Sequence, residues 1–191
     1  MNTTKSSTEN VNPNKFSLWL FLITIIMLFA GFTSAYIVRI KEGNWLKFDL
    51  PDAFLYSSII IAISSFFMQW AYQSAKRDDI KFVRIGLLIT CFFGILFLVL
   101  QIIGFGELVA RGLHFVQKGD KISASFFYVI SGVHWLHLLG GLVALFVLIA
   151  RAFRMEIHKK NILSINMLNT YWHFIGILWV YLYLFLYFAN K

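Results

Sequence analysis

The sequence predicts an all-α fold, a polytopic transmembrane bundle of five helices, from its composition, its apolar runs and its loops. Of its 191 residues, 59% are hydrophobic and only 14% are charged, whereas an ordinary soluble domain carries about 25% charged residues. Five apolar runs reach or exceed the roughly 20 residues that about 30 Å of hydrocarbon requires. The connections between the runs are short and hold most of the charge, which leaves no room for a soluble domain.

The segment before the first run, residues 1–15, is polar and nearly free of apolar anchors, so we expect a flexible tail. The first run, at about 16–40, is longer than the roughly 7 to 15 residue core of a cleavable signal peptide and has no convincing cleavage site. We therefore expect this run to remain in the protein as the first helix of a single transmembrane domain, residues 16–191.

Four further apolar runs follow in order along the chain. They lie at about 53–75, 82–106, 124–150 and 164–188. The connections between the five runs read "RIKEGNWLKFDLPD", "SAKRDDIK", "ELVARGLHFVQKGDK" and "RAFRMEIHKKN". Every connection is charged, so each run is separated from the next by a segment that favours water over hydrocarbon.

Lysine and arginine are distributed unequally between the two sides of the membrane that the five runs define. The side of the N-terminus carries ten of them: Lys5, Lys15, Lys76, Arg77, Lys81, Arg84, Arg151, Arg154, Lys159 and Lys160. The opposite side carries seven: Arg39, Lys41, Lys47, Arg111, Lys118, Lys121 and Lys191. Because cytoplasmic loops carry an excess of positive residues, we expect a cytoplasmic N-terminus and an external C-terminus.

The remaining composition argues against several classes of function. The net charge of +8 is spread over short loops instead of forming a stripe, which favours anionic lipid headgroups and excludes nucleic acid as the partner. Cys91 is the only cysteine, so there is no intrachain disulfide and no paired-thiolate metal site. Nucleophile constellations, phosphate-binding glycine loops and zinc spacings are missing. Apart from the histidines of the apolar runs, we therefore expect no catalytic, metal-ligating or cofactor-binding residue in this chain.

Three histidines lie near the middle of the predicted spans. His134 is about 15 Å from the start of the fourth run, and His137 lies one turn deeper on the same helix face. His173 reaches a similar depth in the fifth run. The glycine pair at 140 and 141 would let a neighbouring helix approach this face closely.

The residues alone leave three interpretations of these histidines open. They can be neutral imidazoles that hydrogen-bond between helices, with Tyr171, Trp172, Ser131 or backbone carbonyls as partners. Two of them on facing helices could ligate a haem, although the large side chains of "YWHFIGILW" leave little room for one. They could also form a proton relay, but no Asp or Glu lies in the middle of any run to accompany them.

Two other polar side chains in the third run have simpler interpretations. Gln101 is the most deeply placed amide of this run, and we expect it to make an interhelical hydrogen bond. Glu107 lies near the outer end of the run, where we expect a solvated carboxylate or an ion pair with Arg111.

Two stretches, "SFFYVISGVHWLHLLGGLVALFVLI" and "NTYWHFIGILWVYLYLFLYF", resemble subunit III of the haem-copper oxidases, the family of the cytochrome c and quinol oxidases. The family's motifs are approximately "F-x-x-T-G-x-H-x-x-H-x-x-x-G" and "Y-W-H-F-x-x-x-x-W-x-x-L". The first motif falls on Gly132, His134, His137 and Gly141, with Phe127 one position before the phenylalanine of the motif. The second motif falls on Tyr171, Trp172, His173, Phe174, Trp179 and Leu182. The first run also resembles a helix of the family that begins "W-L-F-L". The matching residues are Trp19, Leu20, Phe21, Leu22, Phe29 and Tyr36.

The chain departs from the family pattern at two positions. Ile25 stands where the family usually places a membrane glutamate, and Gly104 stands where many members carry a glutamate three residues after Gln101. Roles tied to those carboxylates therefore do not transfer to this chain. The five helices are similar to the shorter branch of the family, whereas the longer branch has seven helices and a lipid-filled cleft.

The resemblance implies a cofactor-free accessory subunit of a proton-pumping oxidase, of the cytochrome c oxidase type, in aerobic respiration. In the family, subunit I holds the haems and copper, subunit II receives electrons, and subunit III binds no redox centre. The implied partners are oxidase subunit I, other oxidase subunits, a larger respiratory supercomplex and membrane lipids, with a bound phospholipid. The implied location is the bacterial inner (plasma) membrane.

Alternative functions remain open at this point. The chain could serve a quinol oxidase, or it could accompany a nitric-oxide reductase, because five-helix relatives of subunit III also accompany that enzyme. It could also be a small membrane cytochrome that binds haem through His134 or His137 together with His173. Under the accessory interpretation the histidines are structural, and they tie the fourth helix to the fifth.

Overall fold

Five long helices build the protein in the computed structural model, which describes residues 13–41, 49–113, 115, 122–154 and 162–190. They are α1 (Pro13–Lys41), α2 (Asp52–Lys76), α3 (Ile80–Ala110), α4 (Ile122–Phe153) and α5 (Leu163–Asn190). Each is long and apolar enough to cross a membrane, and the described ranges contain no strand. The predicted all-α bundle with five spans is therefore confirmed.

The helices extend beyond the apolar runs that predicted them. With 29 residues, α1 is about 44 Å long, which exceeds a hydrocarbon core of about 30 Å. Hydropathy marks only the part of a helix that lies in hydrocarbon, whereas the backbone hydrogen bonds continue into the headgroup region. Pro13 begins α1, a position that tolerates proline, so the last three residues of the predicted tail belong to this helix. Residues 1–12 lie outside the described ranges.

A tight turn joins α2 to α3 on the side where the sequence places positive charge. Asp78 adopts a positive φ of 61°, and the backbone N–H of Asp79 donates to the carbonyl of Ser74 over 3.1 Å. Next to this turn, a Cβ added to Gly86 would lie 2.8 Å from the Cβ of Ala71. The missing side chain of Gly86 therefore lets α2 and α3 pack with their backbones close together.

Helices α2 to α5 form a ring, and α1 lies at the edge of this ring. Within the ring, α2 packs on α3 and α5, and α4 packs on the same two helices; α1 packs on α4 and α5. The interior is filled mainly by aromatic side chains. The largest fully buried ones are Trp172, Trp179, Tyr36, Phe29, Phe54, Phe97 and Phe127. One side of α1 is buried, through Leu22, Ile25, Phe29, Thr33 and Tyr36.

Arg84 joins the start of α3 to the end of α4. Its Nε donates to the carbonyl oxygen of Ala152 over 3.1 Å, and its guanidinium lies 5.1 Å from the ring centre of Phe153. The last carbonyls of a helix lack intrahelical donors and carry partial negative charge. The arginine therefore satisfies this helix end and fixes the two helices at the same side of the bundle.

Candidate functional site

His134 lies at the meeting point of four helices. Its side chain is fully buried, and its ring centre is 5.0 Å from that of Trp179 in α5. The rings of Phe29 in α1 and Phe97 in α3 lie at 6.2 and 6.1 Å. The imidazole is therefore enclosed by aromatic groups from α1, α3 and α5.

His134 makes no hydrogen bond within the described part of the chain, because neither ring nitrogen has a partner there. The described residues therefore show no direct interhelical hydrogen bond of this imidazole, which was one of the interpretations that the sequence left open. It does connect α4 to α5, but through ring packing on Trp179. Counting residues along the run predicts the depth of His134, whereas the aromatic character of its neighbours depends on how each helix is rotated.

His137 hydrogen-bonds within its own helix. Its Nδ1 donates to the carbonyl oxygen of Val133 over 2.8 Å, so this nitrogen bonds within α4 and not between helices. A hydrogen bond between α5 and α4 is made by Tyr171 instead, whose hydroxyl donates to the backbone carbonyl of His137 over 2.8 Å. Tyr171 therefore links α5 to α4 as expected, but it uses the main chain of the histidine.

His173 bonds to α2 instead of α4. Its Nε2 donates to Oε1 of Gln69 over 3.2 Å, and the same oxygen accepts from Nδ2 of Asn169 over 2.9 Å. The predicted interhelical bond of His173 is confirmed, but the expectation that it ties α4 to α5 is wrong. His173 therefore lies on a side of α5 that faces α2.

The two tryptophans of the fifth-helix motif are anchored on serines of α2. Nε1 of Trp172 donates to Oγ of Ser64 over 3.1 Å, and Nε1 of Trp179 donates to Oγ of Ser58 over 3.0 Å. Ser64 in turn donates to the carbonyl of Thr90 in α3 over 3.2 Å. Sequence reasoning missed these serines, although hydroxyls inside an apolar span are a signal for such contacts.

Gln101 and Glu107 behave as their positions predicted. Nε2 of Gln101 donates to Oγ of Ser57 in α2 over 2.9 Å, which confirms the interhelical bond. Glu107 and Arg111 form an ion pair at 3.9 Å with both side chains exposed. Arg111 also donates to the backbone carbonyl of Asp49 over 3.0 Å, so this pair secures the entry to α2 at the surface.

The motif glycines differ in what they do. A Cβ on Gly141 would lie 2.8 Å from the ring of Tyr171, so this glycine admits α5 closely, as predicted. At Gly140 and Gly132, an added Cβ would meet nothing within 4 Å. Close helix packing on α4 therefore depends on only one residue of the glycine pair.

The two departures from the family pattern are occupied by apolar packing. Ile25 is 2% exposed in the core. A Cβ on Gly104 would lie 2.8 Å from the ring of Phe54, a fully buried side chain of α2. A glutamate at position 104 would have to displace that ring, so Phe54 accounts for the glycine.

An open groove of about 720 Å³ lies between α1, α4 and α5. Its walls are mainly apolar and include Leu18, Phe21, Ala144, Val147, Met167 and Leu168. Asn14, Arg151 and Ser164 also line it. These three lie near the start of α1, the end of α4 and the start of α5, so the polar groups share one end of the groove.

The positions of His134 and His173 suit packing and hydrogen bonding between helices and not the ligation of one haem. His134 is enclosed by aromatic rings, whereas His173 faces Gln69 on another side of α5. The structure therefore does not bring these two imidazoles together. Among the described residues, no group of three or more His, Cys, Asp and Glu side chains is placed to hold a metal ion.

Comparisons with known proteins agree on one family. The family model for "Cytochrome c oxidase subunit III" matches residues 44–191. A protein of Nocardia farcinica named "Probable cytochrome c oxidase subunit 3" is 30% identical over 190 residues, covering 93% of this chain and 90% of the relative. The "Cytochrome c oxidase subunit 3" of Bacillus sp. strain PS3 is also 30% identical, over 89% of this chain and 83% of its own.

A relative from another type of oxidase is matched over a similar length. The "Cytochrome bo(3) ubiquinol oxidase subunit 3" of Buchnera aphidicola is 26% identical, covering 94% of this chain and 96% of the relative. The matches extend over most of the chain and include the segments that contain His134, Trp172 and Trp179. The chain therefore belongs to the cytochrome c oxidase subunit III family, the multi-pass accessory subunits of haem-copper oxidases.

Proposed function

We propose that this chain packs on subunit I of a proton-pumping terminal oxidase in a bacterial inner membrane and stabilises that subunit without holding a cofactor. One observation carries the proposal: the motif side chains are used to join helices. Trp172 and Trp179 are anchored on α2, and His134 is packed between the rings of three other helices. A scaffold of this kind supports a neighbouring subunit through a rigid shape.

The surface chemistry is consistent with a partner inside the membrane. The outer sides of α1 and α3 carry large exposed apolar side chains, among them Met27 and Phe92. Such surfaces suit lipid chains or the apolar helices of another subunit equally well, since both exclude water. We also propose that the oxidase is part of a larger respiratory supercomplex. Co-purification of subunits from other respiratory enzymes with this chain tests that proposal.

We further propose that the groove between α1, α4 and α5 holds a phospholipid. Its apolar walls suit acyl chains, and Arg151 at its polar end suits a phosphate group, which a guanidinium binds through paired hydrogen bonds. Gly140 of α4 also lines the groove and leaves room for the lipid, because it has no side chain. A lipid held here would fill the space between α1 and the ring of four helices.

The electron donor of the oxidase has two candidates. Relatives named for cytochrome c oxidase and for ubiquinol oxidase both match over nearly the whole chain. Subunit III binds neither donor in the proposed arrangement, so the chain's own residues do not decide between them. The identity of the retained subunit II distinguishes the two enzymes.

The absorption spectrum of the full chain, expressed without its partners in a haem-producing host, tests the cofactor-free proposal. We expect no Soret band after purification. A Soret band that disappears in the His134→Phe and His173→Phe variants would favour the small membrane cytochrome instead. Restoring the chain to a strain that lacks it should increase the stability of the oxidase, measured as the half-life of oxygen uptake during turnover.

A further inference from the structure

Two fully buried polar side chains in the bundle have atoms without a partner. Within the described ranges these atoms are both ring nitrogens of His134 and Oε1 of Gln101. The other buried atoms without a partner, Nε1 of Trp135 and Oδ1 of Asn169, belong to side chains that are less completely buried. His134 is 0% exposed and Gln101 is 1% exposed. Buried polar atoms almost always have a protein partner or an ordered water, because an unmade hydrogen bond there costs the desolvation of the group.

Both side chains lie in the same layer of the bundle. The ring of Phe97, one turn before Gln101, is 6.1 Å from His134 and 5.4 Å from Trp179. Gln101 precedes the end of α3 by nine residues, and His134 follows the start of α4 by twelve. These ends lie on the same side of the membrane, so the depths are about 14 and 18 Å.

The hydroxyl protons of this layer are already used. Ser57 and Ser58 both donate to the carbonyl of Phe54, although their oxygens accept from Gln101 and a tryptophan. Ser131, one turn before His134, donates to the carbonyl of Phe127. None of these three serines has a second proton for Oε1 of Gln101 or for the basic nitrogen of His134, because a hydroxyl donates only once.

The geometry points to a buried water molecule that is bound between His134 and Gln101. A water supplies the two donors that this layer lacks, one for Oε1 of Gln101 and one for the unprotonated imidazole nitrogen. Buried waters typically make about three hydrogen bonds, and the oxygen of this water can still accept one after both of its protons are donated. Phe29, Phe97 and Trp179 enclose His134, which favours a ligand of this small size.

The bound water gives His134 a defined role in the fold. It links α3 to α4 through two side chains that do not hydrogen-bond directly, and it fixes which imidazole nitrogen carries the proton. The inference does not depend on the proposed oxidase partner, because every group involved belongs to this chain. It therefore holds or fails independently of the proposed function.

Solid-state NMR of the full chain in lipid bilayers, with nitrogen-15 in the histidines, tests the inference. Magnetisation that starts on water protons should reach the imidazole nitrogens of His134 in the unaltered protein. The signal is assigned by its loss in His134→Phe, or in His134→Gln if the first variant does not fold. A His134 signal that receives no magnetisation from water in the unaltered chain would overturn the inference.

Gln101→Leu tests the second contact of the water. We expect this variant to lower the transfer to His134 at least several-fold, because the water loses the amide oxygen. Gln69→Leu is the matched control, since this amide in α2 bonds to His173 instead, and it should leave the His134 transfer unchanged. Equal transfer in the Gln101→Leu protein and the unaltered protein would contradict a water shared by these two residues.

Discussion

At the scale of single residues, the bundle is joined by a few hydrogen bonds between polar side chains that its apolar spans bury. The indole of Trp179 donates to Ser58, and the indole of Trp172 donates to Ser64. Such bonds contribute roughly 0.6 to 2 kcal/mol each in membranes, and an unpaired indole would add the cost of a buried donor. The serines of α2 therefore position the tryptophans of α5.

Replacing one of these serines should weaken the bundle measurably. We expect Ser58→Ala to lower the free energy of unfolding by about 1 kcal/mol, because the indole N–H of Trp179 loses its acceptor in the core. Thermal unfolding of the purified chain in detergent measures the change. Ser34→Ala on the exposed side of α1 is the control and should have no effect. Equal melting temperatures for both variants would contradict this role of Ser58.

At the scale of helices, close approach depends on a small number of glycines. Gly86 faces Ala71 at the α2–α3 contact, Gly104 lies under Phe54, and Gly141 lies under Tyr171. Each of these contacts would place a new Cβ within 2.8 Å of its neighbour. Gly86 therefore brings the backbones of α2 and α3 together, whereas Gly104 and Gly141 leave room for the rings of Phe54 and Tyr171.

A side chain at Gly86 should separate α2 from α3. We expect Gly86→Leu to cost about 1 to 3 kcal/mol or more of stability through overpacking. Gly106→Leu is the matched control in the same helix, because nothing lies within 4 Å of its added Cβ. Unfolding in increasing denaturant compares the two variants. A similar loss at both positions would mean that helix propensity, and not the close contact, explains the effect.

The lipid groove gives a second prediction at this scale. Arg151→Ala should reduce the amount of phospholipid that remains with the purified chain, because the phosphate loses its cation at the polar end of the groove. Native mass spectrometry counts the retained lipids. Arg77→Ala, in the turn after α2, is the control. Lipid retention that falls equally in both variants would indicate general headgroup attraction instead of a site.

The spans and some contacts between helices could be predicted from the sequence, whereas other contacts could not. Five spans, the bond of Gln101 to another helix and the Glu107–Arg111 pair could be predicted because hydropathy and helical spacing determine them. The partners of His134 and His173 could not. Depth in the membrane follows from counting residues, whereas the neighbour that a side chain meets depends on the rotation and order of all five helices.

At the scale of the whole molecule, an odd number of spans places the two termini on opposite sides of the membrane. The positive residues in the connections after α2 and α4 predict that the N-terminal side is cytoplasmic. The four helices of the ring share one aromatic core, and α1 is attached along α4 and α5. The molecule thus consists of a packed ring with one helix and one groove at its edge.

Reporter fusions test this orientation. A periplasm-active reporter joined after Lys191 should be active, and the same reporter in the 151–160 connection should be inactive. The opposite pattern would show an inverted orientation, and equal signals at both sites would contradict the odd number of spans.

The proteins that stay bound to the chain in the native membrane decide whether it works as a subunit of a haem-copper oxidase. The tagged full chain is purified from gently solubilised membranes, and the retained proteins are identified and quantified by mass spectrometry. We expect a haem-copper subunit I in about equimolar amount, together with the subunit II that identifies the electron donor. Retention of other membrane proteins with no haem-copper subunit among them would contradict this expectation.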